Sequence, residues 1–151
     1  MKTYLTRSAS FSAAHRYHRP EWSEERNQAV FGSCANPHGH GHNYLLEVTV
    51  AGSVDPITGF CVDLAQLDRI LEEQVRQPLD HQHLNHAVPE FGPGALVPTA
   101  ENLAIWIWRR LRPLLGSVTL FRVRVREDAG LFVDYYGEVE FGSSRDRSVD
   151  I

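Results

Sequence analysis

Residues 42–51 alternate, with Tyr44, Leu46, Val48 and Val50 on one parity, which in an extended chain is one face; the stretch predicts a strand. Residues 3–14 alternate more loosely and predict another. Residues 19–37 mix Pro20, Trp22 and several charged residues, and predict a loop with one helical turn. Asp55-Pro56-Ile57-Thr58-Gly59 has turn chemistry. The period then changes. Asp63 can cap a helix with Gln66 three residues on, and Leu64, Leu67, Ile70, Leu71 and Val75 recur at helical spacing, ending at or before Pro78. Residues 79–97 are a long connection punctuated by Gly and Pro, a length more often functional than accidental in a compact domain. Thr99 can cap a second helix reaching about Leu115, with Leu103, Trp106, Ile107 and Leu111 as its buried stripe. Strands over 118–127 and 131–140 follow, joined by Asp128-Ala129-Gly130. The order β-β-α-α-β-β predicts an α+β domain, a four-stranded antiparallel sheet with two helices on one face. Residues 1–141 form that domain and 142–151 a polar C-terminal tail.

Composition narrows the function. A chain of 151 residues has the common single-domain size and buries roughly 70% of its unfolded surface. Cys34 and Cys61 are too few for a secreted disulfide scaffold, which points to a reducing, cytoplasmic location. No stretch approaches the ~20 consecutive apolar residues that a membrane span needs. The net charge of −4 provides no field for nucleic acid or a membrane surface, though a local basic site for a small phosphate stays open. The eight histidines cluster as His15 and His18, then His38, His40 and His42, then His81, His83 and His86. Clustered imidazoles suggest metal or proton chemistry.

The strongest local signal is Cys34-Ala-Asn-Pro-His-Gly-His40-Gly-His42-Asn-Tyr44. Residues two apart on a strand share a face, so His40 and His42 can offer two nitrogens to one ion. Zn²⁺ takes such nitrogens at about 2.0–2.1 Å in a tetrahedral array. Gly39 and Gly41 let another backbone or a ligand approach closely. His38 shares the parity, so spacing alone does not choose between the three, and a further ligand must come from elsewhere. Near the other end of the chain, Glu127 shares the parity of Phe121, Val123 and Val125, while Arg122, Arg124 and Arg126 face the other way. A carboxylate ending an apolar face is costly unless paired, and a guanidine-like N–H edge is a fitting bidentate partner.

Five motifs occur together and in order: Phe11-Ser-Ala-Ala-His15, Cys34-x5-His40-Gly-His42-Asn-Tyr44, Pro78-Leu-Asp80-His81, Pro98-Thr99-x-Glu101-Asn102 and Glu127. In this the chain resembles the 6-pyruvoyl-tetrahydropterin synthase and 6-carboxytetrahydropterin synthase family from about residue 3 to 140. The resemblance implies the tunnelling fold (T-fold) and a Zn²⁺ held by His15, His40 and His42, with His38 a neighbour. It implies Cys34 as general base, Asp80 and His81 as its proton relay, and Glu127, Thr99 and Glu101 as pterin-holding residues. The implied substrate is 7,8-dihydroneopterin triphosphate, converted by a zinc-dependent lyase with triphosphate elimination. A carboxy-forming reaction on the path to deazaguanines such as queuosine, and a non-catalytic zinc or pterin module, are the alternatives. The implied assembly is a homo-hexamer of two trimeric rings with pterin sites between subunits. The chain departs from animal members at Ala35, His38 and Ala100, where asparagine, asparagine and threonine are common. Its long Cys-to-His spacing is that of the pyruvoyl-forming branch. No phosphate-binding glycine loop is present, so a triphosphate needs scattered basic residues, with Arg16 and Arg19 as candidates.

Overall fold

A computed structural model of the chain describes residues 2–138, so the tail over 142–151 and its boundary at 141 lie outside the described residues. Strand β1 (Lys2–His15) and strand β2 (His40–Ser53) pair antiparallel over their whole length, from Lys2 opposite Ser53 to His15 opposite His40. Strand β4 (Thr119–Asp128) pairs with β2, and β5 (Leu131–Tyr135) with β4. The sheet has a fifth member. Gln82–His83 form β3, parallel to β1 at Ala13 and Ala14, so the sheet is mixed, in the order β3-β1-β2-β4-β5. The expected four-stranded antiparallel sheet is corrected in this respect: two residues of the 79–97 connection cover an edge of β1 that would otherwise expose unpaired backbone groups.

The alternation in β2 holds, with Tyr44, Leu46, Val48 and Val50 all buried. In β4 it breaks. Arg122 pairs with Thr49 but Leu120 with Val50, leaving Phe121 as an extra residue in a bulge. Leu120 therefore turns inward in place of Phe121, which is 42% exposed, while Val123 and Val125 stay in the core. On the outer face Arg124 pairs with Asp134 and Arg126 with Glu47.

Helix α1 (Glu24–Phe31) lies where one turn was expected. The Ser23 hydroxyl accepts from the Arg26 N–H to cap it, and a 3-10 turn, Gly32–Ala35, extends it. Its one buried residue is Asn27, whose amide bonds the backbones of Arg19 and Ser23, so it carries no apolar period to read. Helix α2 (Leu64–Leu71) is capped by the Asp63 carboxylate as expected. It does not stop before Pro78: a π-helical turn, Glu72–Arg76, leads into α3 (Gln77–Leu79). Proline brings no N–H for the Gln74 carbonyl four residues back. The Arg110 Nε supplies that hydrogen bond instead, at 3.0 Å. The 79–97 connection carries β3, a short helix α4 (Leu84–Ala87) and a 3-10 turn. Helix α5 (Ala100–Leu111), capped by Thr99, buries Leu103, Ile107 and Leu111 together with Ala100, Ala104 and Trp108. Trp106 is only partly buried and lies beneath the Arg110 guanidinium. The core between the helices and the inner sheet face gains about 1.5–3 kcal/mol per large apolar side chain. It ends at Phe11 and Tyr44, where the site begins.

Candidate metal centre

The β1–β2 register sets His15 directly opposite His40, and His42 lies two residues further along the same face. The three rings form a near-equilateral triangle, with every pair of centroids 5.0 Å apart and mutually tilted by 71°, 59° and 83°. The Nε2 atoms of His15 and His40 are 3.3 Å apart. Two ligands of a tetrahedral zinc at about 2.0–2.1 Å stand roughly 3.3–3.4 Å from each other, so the pair already has ligand separation. His42 Nε2 is buried and makes no hydrogen bond, and Glu127 Oε1 stands 3.3 Å from it, so a cation here would meet both a nitrogen and a carboxylate. His15 is fully buried, and burial, aided by His42 and His40, pushes its pKa down to about 3. A neutral imidazole is the form that binds metal. The donor set therefore fits a divalent cation.

Two residues outside the expected set complete the cluster. The Tyr44 hydroxyl is 2.9 Å from His15 Nδ1, which leaves Nε2 to face the other rings. Tyr17 stacks obliquely on His15 and donates to Glu127 Oε2 at 3.4 Å. Burial first, then the Glu127 charge, raises both phenols well above their usual pKa. Sequence signals for both existed: Tyr44 continues the His40–His42 parity and Tyr17 continues that of His15.

Cys34 Sγ lies 3.7 Å from His40 Nε2, placed there by the 3-10 turn. Burial, then Glu127, raises its pKa. Glu127 reaches the cluster from β4, with Oε1 3.3 Å from His42 Nε2. The tightest donor triples are His15, Cys34 and His40 on one side, and His15, His42 and Glu127 on the other. The three expected imidazoles are thus split between two triples joined at His15. His38 stays outside: Gly39, at φ 67°, turns the chain just before the strand begins, so the parity ends at His40. A Cβ on Gly39 would stand 2.5 Å from the His15 carbonyl oxygen.

Asp80 and His81 pair with each other, Oδ2 to Nδ1 at 3.1 Å. The Ser12 N–H donates to Asp80 Oδ1 at 2.8 Å, and that bond, with help from Arg76 and His81, holds the carboxyl down to about 2. His81 adopts φ 58°, rare outside glycine, and its own N–H donates to the Ser12 carbonyl. Its side chain is 83% exposed. Both bonds to Ser12 go to its backbone, on the edge of β1 that faces β3, and the cleft beside His81 is lined by His42 as well as by Ser12 and Asn43. The pair therefore meets the sheet at its β1 edge, and no described hydrogen bond or ion pair joins it to Cys34. Thr99 caps α5, and Glu101 is exposed on that helix's first turn, its charge felt at Tyr17.

A mixed sheet backed by helices, with convergent imidazoles where its core ends, defines a small α+β domain with a metal-competent centre. The sequence profile of the 6-pyruvoyl tetrahydropterin synthase family matches residues 4–138. The chain is 45% identical to the human 6-pyruvoyl tetrahydrobiopterin synthase over 89% of its own length and 91% of that protein's. The structure of Caenorhabditis elegans 6-pyruvoyl tetrahydropterin synthase superposes with a TM-score of 0.84 at 35% identity, covering 91% of this chain and 97% of that one. A dihydroneopterin monophosphate aldolase of Pyrococcus furiosus is 34% identical over 84% of this chain and 91% of its own. The chain belongs to the 6-pyruvoyl tetrahydropterin synthase family, a family of lyases. Among the described residues, no helix is long and apolar enough to cross a membrane.

Proposed function

We propose that the chain is a zinc-dependent lyase that converts 7,8-dihydroneopterin triphosphate to a 6-pyruvoyl tetrahydropterin with loss of triphosphate. The observation that carries this reading is the ring triangle of His15, His40 and His42 with a thiol 3.7 Å from one corner and a carboxylate 3.3 Å from another. Three neutral imidazoles would hold zinc with its double charge intact and a position open, supplying Lewis acidity toward the substrate's side-chain hydroxyls. Glu127 pairs with the N–H edge of the pterin, and Thr99 and Glu101 bound the same end. Satisfying Glu127 also removes part of the field that raises the Cys34 thiol. Cys34 then takes the carbon-bound proton as thiolate.

Asp80 and His81 relay that proton, and they reach Cys34 from a neighbouring copy in a homo-hexamer of two trimers. Support for this comes from their place at the outer edge of β1, with no described bond to Cys34 of the same copy, and from the exposed His81 ring. Such an assembly predicts that inactive C34A and H81A proteins regain activity when mixed and reassembled.

The deciding experiment is product analysis on zinc-loaded protein. A pyruvoyl product is expected from the triphosphate. Acetaldehyde with a carboxypterin would transfer the chain to the carboxy-forming reaction, and aldolase cleavage of the monophosphate would match the activity for which the Pyrococcus furiosus relative is named. Absence of all three would overturn the enzyme reading in favour of a binding module.

A further inference from the structure

Next to the imidazole triangle, and sharing no residue with it, lies a cavity of about 350 Å³. Arg16, His18, His38, His83 and His86 line it, and no aspartate or glutamate does. Arg16 brings a positive charge to it, and the four imidazoles bring ring N–H donors. The acid that reaches this lining from outside is Glu24, three-quarters exposed, 3.3 Å from His18 Nε2 and 3.9 Å from Arg16 Nη2.

Arg16 is held ready. Its backbone N–H donates to Asn85, which donates back to its carbonyl, and its Nε donates to the Ala35 carbonyl at 3.1 Å. Among the described residues neither Nη makes a hydrogen bond, so the end of the fork remains for a ligand. Arg19 differs: its Nε and Nη2 lie on Glu21 and its Nη1 on the Ala95 carbonyl. Across the cavity His83 and His86 stack face to face, 4.3 Å apart at 15°, and His83 Nδ1 is buried without a partner.

These imidazoles are not a second metal centre. Stacked rings do not converge their nitrogens on one point, and both tight donor triples among the described residues lie at the other cluster. One guanidinium fork, several ring N–H donors and a volume of this size suit a ligand with many anionic oxygens. The cavity also abuts the metal centre. A Cβ on Gly39 would lie 3.1 Å from His83 Nε2 and 2.5 Å from the His15 carbonyl, so only a glycine separates the two sites.

We propose that this cavity binds the oligophosphate tail of the ligand whose pterin end lies at the imidazole triangle. The assignment of the tail to substrate rests on the proposed reaction; the affinity for oligophosphate does not. The test uses the zinc-loaded full chain and inorganic tripolyphosphate, titrated calorimetrically at fixed pH and salt. Loss of charge-assisted bonds in the His83→Asn/His86→Ala variant should weaken binding at least about tenfold. The KM for the triphosphate substrate should rise by a similar factor with a smaller change in kcat, and tripolyphosphate should compete with that substrate. His86→Ala alone, with zinc content and melting temperature as controls, serves if the double variant folds poorly. Unchanged tripolyphosphate affinity, an unchanged KM, or binding that does not compete would each overturn the proposal. If the variants turn over substrate normally, the reaction stands and the site falls. If tripolyphosphate binds through these histidines but no pterin is converted, the site stands and the reaction falls.

Discussion

His40, His42, Tyr44, Leu46, Val48 and Val50 occupy one face of one strand, yet the first half of that row is chemistry and the second half is core. Opposite them on β1 stand His15, Ala13 and Phe11, and on β4 the row ends Val123, Val125, Glu127. Leu46, Val48 and Val50 are fully buried and gain from it. His15 is as deeply buried and His42 Nε2 is covered without a hydrogen bond, so the polar half carries a desolvation cost that the apolar half does not. Tyr44 is the junction. Its ring stacks on Phe11 at 5.0 Å and its hydroxyl holds His15 at 2.9 Å. The site is thus the open end of the core, and its rings inherit the core's rigidity.

Substitutions that erase this contrast should have the largest effect. His40→Ala or His42→Ala should abolish turnover and weaken zinc binding by more than about 100-fold, beyond the usual effect of losing an outer partner. His38→Ala should keep the metal; chelator competition checks both, and full zinc occupancy in His40→Ala would refute the ligand set. Cys34→Ala comes next, lowering kcat by about 10²–10⁴ as expected for loss of a general base. Zinc should remain. If zinc is lost instead, the His15, Cys34 and His40 triple is the true donor set. In the apolar half, Leu46→Ala should cost about 2–5 kcal/mol in urea unfolding while the folded fraction still binds zinc one to one.

Much of this row was legible from the amino acids. The parity of β2, the Asp63 and Thr99 caps and the place of Glu127 all follow from local spacing. What escaped depends on partners distant in sequence. The bulge at Phe121 exists only relative to β2, and the passage of the helix through Pro78 depends on Arg110 reaching the Gln74 carbonyl. Helix α1 escaped because its buried residue is an asparagine. Spacing alone left His38 level with His40 and His42, because the left-handed turn at Gly39 that ends their parity cannot be read from it, and Tyr17 and Tyr44 joined the cluster only when β1 met β2 in register.

The junction itself gives a smaller effect. Tyr44→Phe keeps the ring on Phe11 but removes the hydroxyl from His15 Nδ1. Zinc affinity should fall by about 10–100-fold, the usual result of losing a partner behind a ligating histidine. Circular dichroism and urea unfolding should show the fold retained. An unchanged zinc affinity would mean that packing alone orients His15.

The smallest effect lies at the outer edge of β1. Asp80 has its pKa held at about 2 chiefly by the Ser12 N–H, below the roughly 3.9 of a free aspartate. Because the folded value is depressed, the unfolded chain takes up the proton first as pH falls. The stabilisation from this carboxylate is therefore complete above about pH 4 and disappears toward pH 2. Asp80→Asn should accordingly melt below the parent at pH 5, with the gap closing by pH 2. His15 also titrates in metal-free protein: its depressed pKa makes stability decline from about pH 6.5 down to about 3. That loss is common to both proteins and cancels in the difference. A melting gap that stays constant between pH 5 and 2 would show that Asp80 holds the 79–97 connection by shape, not by charge, and would leave the polar cost of the sheet confined to the imidazole face.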